Sequence, residues 1–162
     1  MMRSMTISLA ASVLALTGCS RGDGDAATVS RTTTIPVKIA ANGRVQVFRA
    51  ELARTKEEQA TGLMFRTNLA PDFAMLFAPY PAEGGGPREA SFWMKNTPSP
   101  LDIVYIRADG TIARIAENTV PFSETPIASG EPVAAVLEVR GGRTAELGIG
   151  EGDKVSWTMP RP

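Results

Sequence analysis

Apolar residues recur at every second position along much of this chain, a period that predicts strands rather than helices. Ile35, Val37 and Ile39 alternate with Pro36 and Lys38, and the alternation resumes from Val45 to Leu52 beyond Ala41-Asn42-Gly43. Asn-Gly between two such runs signals a tight hairpin, because its turn needs positive φ at both central residues. On the return strand Phe48, Ala50 and Leu52 share one face, with Arg49 and Glu51 on the other. Thr55-Lys56-Glu57-Glu58 then has the form of a capping box, so a short helix is expected from Lys56 to Thr61, stopping at Gly62.

Further strands are expected at Phe73–Phe77, Glu89–Asn96, Val133–Val139 and Val155–Met159. Asp102–Arg107 and Thr111–Ala116 flank Asp109-Gly110 as a second hairpin. Arg143–Leu147 reads as a helical turn ended by Gly148. The prolines of Thr97-Pro98-Ser99-Pro100 exclude both a helix and a central strand there. About eight strands with no long helix between them predict a mainly β, β-rich α+β fold. Its expected form is a curled or barrel-like antiparallel sheet with one or two short helices.

The first residues follow another pattern. After Arg3, Met5–Leu16 is almost wholly apolar yet too short for the roughly 20 residues of a membrane-spanning helix. It reads as a signal-peptide core. The run ends Leu16-Thr17-Gly18-Cys19, which resembles the lipobox of bacterial lipoproteins. That resemblance implies cleavage before Cys19, a lipid on its sulfur, and membrane attachment through two or more acyl chains. Ser20, rather than Asp, after the cysteine is similar to an outer-membrane sorting pattern. The expected organisation is a signal peptide over 1–18, a lipidated tether over 19–34 and one β-rich domain over 35–159. Ser20 to Thr34, polar and without apolar period, lacks the surface to offset ordering entropy.

Composition narrows the chemistry. Histidine is absent and Cys19 is the sole cysteine. A Ser-His or Cys-His nucleophile, an imidazole metal site and an internal disulfide are thereby excluded. Seventeen basic and seventeen acidic residues cancel, which is no electrostatic footprint for nucleic acid. Met64, Met75, Met94 and Met159 form no thioether cluster for copper, and core packing is the simpler use of them. Glu83-Gly84-Gly85-Gly86-Pro87 lacks the lysine and helix of a phosphate-cradling loop. No cofactor or metal is expected.

Several motifs in order carry a wider resemblance. Gly62-Leu63-Met64-Phe65-Arg66, Met75-Leu76-Phe77, Phe92-Trp93-Met94-Lys95-Asn96-Thr97 and Pro100-Leu101-Asp102 resemble a small prokaryotic family, domain of unknown function 192. Val136-Leu137-Glu138-Val139 and Gly150-Glu151-Gly152-Asp153-Lys154-Val155 are similar to its closing motifs. The resemblance implies a compact, β-rich, often exported domain and supplies no reaction.

Within those motifs, alternation puts Phe92, Met94 and Asn96 on one strand face and Ser91, Trp93 and Lys95 on the other. An indole plane beside an ammonium suits a sugar ring or an anion. The simpler alternative packs Trp93 under the Pro98/Pro100 loop and pairs Lys95 with Asp102. Glu138, an acid in an apolar run, faces water, bonds Arg66, or joins Arg66, Lys95 and Asp102 in one pocket. Ser91 and Lys95 stand about 13 Å apart on a strand, too far for a nucleophile and its base. Asp102 and Glu138 are weak candidates for the paired carboxylates of a hydrolase of envelope polysaccharide.

The sequence thus points to an envelope lipoprotein, periplasm-facing and held to the outer membrane through Cys19. Its domain is expected to bind a small anion, glycan or envelope protein around Arg66, Trp93, Lys95, Asn96, Asp102 and Glu138. A hydrolase and a purely structural tethered module remain the alternatives.

Overall fold

The computed structural model describes residues 34–160. The predicted signal peptide, Cys19 and nearly all of the predicted tether therefore lie outside the described residues. The elements run β1 (Thr34–Ala41), β2 (Arg44–Ala53), α1 (Lys56–Thr61), β3 (Phe73–Phe77), β4 (Arg88–Phe92), β5 (Leu101–Ile106), β6 (Ile112–Ala116), β7 (Ile127–Val133), β8 (Ala135–Arg140), α2 (Arg143–Leu147) and β9 (Lys154–Trp157). Thr34, expected in the tether, instead starts β1 opposite Glu51.

Seven strands form one sheet in the order β6-β5-β8-β3-β2-β1-β9, and β4 pairs with β7 in a separate ribbon. All pairings are antiparallel except β2 with β3, which run parallel with α1 in the connection between them. The two sheet edges come together where Thr111 bridges Lys154, giving a curled half-barrel. This is the mainly β architecture that the alternation predicts.

Alternation then sorts the side chains into two cores. Ile35, Val37, Ile39, Phe48, Leu76, Val104 and Leu137 fill the inside of the curl. Met75, Phe77, Ile103, Tyr105 and Val136 face outward, where Leu63, Ala90 and Met94 cover them. β3, β5 and β8 are thus buried on both faces, which is why they read as near-continuous apolar runs, interrupted by Asp102 in β5 and by Glu138 and the terminal Arg140 in β8.

Local chemistry accounts for most boundaries. Thr55 and Glu58 form the capping box, with Glu58 accepting from the Arg54 and Thr55 N–H groups at 2.7 and 2.9 Å. Gln59 bonds the Ala53 and Pro79 carbonyls and accepts from Ala82 N–H, stapling α1 to the Pro79–Ala82 turn.

Two expectations needed correction. The strand expected over Glu89–Asn96 stops at Phe92, and residues 93–96 turn away, with Asn96 at φ 55°. The expected Val133–Val139 strand is two elements, Val133 closing β7 and Ala135 opening β8. β7 escaped the pattern because Gly130 and Pro132 interrupt it, yet it can tolerate both as half of a two-stranded ribbon.

Candidate functional site

A cleft of about 330 Å³ opens on the outer face of the sheet. One wall is α1 and the turn after it, from Lys56 to Met64. The opposite wall is β4 with Trp93, and the Tyr80–Glu83 turn closes one side. Phe77 and Glu138, from adjacent strands, contribute the sheet surface beneath. Phe92 holds the aromatic side together, edge-on to Phe77 at 5.1 Å and 5.9 Å from Tyr80.

Glu138 is the chemically unusual member. Its side chain is buried, and Oε2 has no hydrogen-bond partner. Loss of hydration pushes its pKa up to about 8, with only the Leu63 backbone N–H favouring the charged form. At neutral pH it is therefore a neutral carboxylic acid. Such a group can donate as well as accept a hydrogen bond.

Gly62 is what lets the chain lie over that carboxyl. It has φ 49°, and a Cβ there would stand 3.3 Å from the Phe77 Cζ and 3.5 Å from Glu138 Oε2. Gly62→Ala is expected to destabilise the domain by about 1–3 kcal/mol through backbone strain and crowding. Thermal unfolding measures this; an unchanged midpoint would show that the turn relaxes freely.

The six predicted site residues do not converge. Glu138 and Trp93 line the cleft. Lys95 lies 5.1 Å from the Trp93 ring centroid, so the ammonium and indole do meet. Lys95 pairs with Glu124 at 3.6 Å, however, not with Asp102. Trp93 is not tucked away under the proline loop; it stays 46% exposed.

Asp102 is elsewhere. It shares the inner face of β5 with Val104 and Ile106, whereas Glu138 sits on the outer face opposite Ile103. Its carboxylate accepts from Asn118 N–H at 2.7 Å, Gly142 N–H at 2.8 Å, Thr144 N–H at 2.8 Å and Thr144 Oγ1 at 2.7 Å. Asp102 is a loop anchor. The paired-carboxylate hydrolase built on Asp102 and Glu138 loses its geometry, since the sheet separates the two groups.

Arg66 is also occupied. Its guanidinium grips Glu51 with two contacts, 2.8 and 3.3 Å, rather than Glu138. Glu51, Met75 and Glu138 lie in one row across β2, β3 and β8. Two strand spacings put the acids roughly 10 Å apart. Asn96 supports the turn, its carbonyl accepting from Phe65 N–H at 2.8 Å.

Sequence reasoning missed the rest of the cleft. Lys56, Tyr80, Glu83, Arg88 and Ser91 line it from α1, a turn and β4, with Arg88 pairing Glu83 at 3.3 Å. Their spacing along the chain carries no common period. The only available signal was the glycine run after Glu83, which read as a flexible loop.

Fold and cleft together define a small half-barrel domain with one deep acid beneath an aromatic-sided opening. The chain belongs to domain of unknown function 192, described as "Uncharacterized ACR", whose match spans residues 37–157. Two solved structures are similar. A Novosphingobium aromaticivorans protein of unknown function is 44% identical, with 86% of this chain and all of that one covered, at a TM-score of 0.73. A Sinorhizobium meliloti protein, whose description suggests a transcription regulator, is 42% identical over 76% of this chain and 93% of that one, at a TM-score of 0.71. No curated protein matches.

Proposed function

We propose that this domain is a binding module for a single sugar ring, carried in the bacterial envelope on a lipid anchor at Cys19. The observation that carries the reading is Glu138, a buried carboxyl with an unpartnered oxygen beneath an aromatic-sided cleft. Buried polar groups are ordinarily paired, and an exception calls for a functional explanation. A structural module with no ligand would gain nothing from leaving this acid unpaired.

The lining fits the ligand class. Tyr80 and Trp93 offer aromatic surface to a ring face, and Ser91 and Thr61 offer hydroxyls. The volume lies at the low end for ligand pockets, enough for one ring rather than an extended chain. An N-acetyl group on that ring would add a methyl for the aromatic side and an amide for the Ser91 and Thr61 hydroxyls, above the sealed acid. The anchor is supported by Leu16-Thr17-Gly18-Cys19, and the balanced charge speaks against nucleic acid as the partner.

Ligand-observed NMR at pH 6 with N-acetylglucosamine, glucose and glucuronate tests this reading. N-acetylglucosamine is expected to show saturation transfer. Trp93→Ala is expected to lower its affinity at least tenfold while shifting the unfolding midpoint little, because the indole is nearly half exposed. Absence of contact with all three sugars would overturn the proposal. Mass spectrometry of membrane-extracted protein tests the anchor separately, and an unmodified Cys19 thiol on an intact chain would remove it.

A further inference from the structure

We infer that Glu138 is a proton-operated latch on the cleft, sealed under Gly62–Met64 when neutral and opening that segment when it ionises. The inference about the latch stands on the burial geometry; its consequence for ligand occupancy rests on the sugar-binding reading above.

The geometry leaves the ionised form no place to stay. Oε2 is shut off from solvent without a partner, 3.5 Å from where a Gly62 Cβ would stand. A carboxylate enclosed in this way loses its hydration and gains no counter-charge. The surrounding elements offer none. From β2 comes Glu51, already bound to Arg66 of the turn above. β3 contributes Met75 and Phe77, and neither ionises. β5 contributes Ile103 and Tyr105, whose hydroxyl is spent on the Ile127 carbonyl. On β6, Arg114 is bonded to the Ala128 carbonyl.

At the opening, Arg88 of β4 pairs with Glu83, and Lys56 of α1 also feels Glu83. Beyond Trp93, Lys95 pairs with Glu124. Glu57 and Glu58 of α1 and Glu89 of β4 add only negative charge. No cation among the described residues is bonded to Glu138. The acid sheds its proton near pH 8 only with difficulty, and water is the remaining way to stabilise the charge.

The covering segment is anchored on both sides of the acid, with Gly62 N–H bonded to the Glu58 carbonyl at 2.9 Å at its start. Leu63 plugs the outer core, but Met64 is only partly buried and Phe65 is exposed. The segment is tethered beyond the acid, by Phe65 N–H to the Asn96 carbonyl and by Arg66 to Glu51. Water reaching Glu138 therefore displaces Gly62–Met64 between a fixed α1 and that tether. The same displacement reshapes the wall that Gly62, Leu63 and Met64 give to the cleft.

The test has two arms on the same protein. In the first, the Glu138 side-chain carboxyl is followed by ¹³C NMR from pH 5 to 10 without ligand, together with the Leu63 and Met64 amides. The expected result is one shared midpoint within a unit of pH 8, with the amide transition absent in Glu138→Gln. A carboxyl midpoint between pH 4 and 5 overturns the latch, as does a carboxyl that titrates high while both amides stay still. In the second arm, N-acetylglucosamine is titrated calorimetrically over the same range. Its affinity is expected to be flat below the midpoint and to fall about tenfold per pH unit above it. Equal affinity at pH 6 and pH 10 overturns the control of occupancy and leaves the sugar site intact. No binding at any pH, with the shared midpoint present, overturns the sugar reading and its control while the latch stands.

Discussion

Replacing Asp102 with alanine is expected to remove about 3–5 kcal/mol of folding stability, read as a midpoint lowered by roughly 10–20 °C. The size follows from what the carboxylate holds. Asn118 on one loop, and Gly142 and Thr144 at the start of α2, direct three backbone N–H groups at it. The Thr144 hydroxyl adds a fourth donor. Alanine would leave these donors in a site with no exposure at Asp102 or Thr144. Each unpaired buried donor costs about 1–3 kcal/mol, moderated by whatever water enters the space.

Two gradations sharpen the test. Thr144→Val removes one donor of the four and is expected to cost about 1 kcal/mol. Asp102→Asn keeps the shape but turns an amide N–H₂ towards N–H groups, and should fall between the two. A loss below 1 kcal/mol for Asp102→Ala in chemical denaturation would contradict the anchor role. Sugar binding by the folded variants should be preserved, because Asp102 faces the other side of the sheet from the cleft.

Glu138→Gln is expected to act in the opposite direction, increasingly as pH rises above about 4.5. The folded-state pKa of Glu138 is raised from 4.5 to about 8. Between those values the folded protein keeps a proton that the unfolded chain has released. Stability therefore falls as pH rises through this window, and the penalty is complete above about pH 8. At about 1.4 kcal/mol per pH unit across that window, removing the ionisable group recovers on the order of 5 kcal/mol at pH 9, less the cost of burying an unpartnered amide. At pH 4 the acid is largely neutral in both states, so no charge penalty remains for the substitution to remove. Urea denaturation at pH 4, 6.5 and 9 reads this directly. Parallel stability curves for the two proteins would show that Glu138 is hydrated or paired throughout.

The strands were legible because one-sided burial imposes a period of two, and the hairpins because Asn42-Gly43 and Asp109-Gly110 are suited to positive φ. Thr55 and Glu58 announced α1, and Gly62 its end. Trp93 and Lys95 were correctly brought together even though the strand under them ends early, since the turn keeps Met94 inward and its neighbours outward. β7 was hidden, because in a two-stranded ribbon the glycine and proline that break the pattern do not break the pairing.

The site was legible residue by residue and not as an assembly. Glu138 stood out as an acid in an apolar run, while Asp102 entered as a partner for Lys95 and as half of a carboxylate pair. Sequence thus singled out both acids and offered a shared pocket for the two. Only the tertiary structure decided that their roles differ. Strand pairing put Asp102 opposite Val139 and Glu138 opposite Ile103, one residue apart in register and so on opposite faces of the sheet. On the inner face, two loops converge on Asp102 with four donors. On the outer face, a glycine turn covers Glu138 and leaves it unpartnered. The chain's own pattern determines which positions are buried; which loops arrive over them is a long-range matter, and that is what makes one acid an anchor and the other the chemical centre of the cleft.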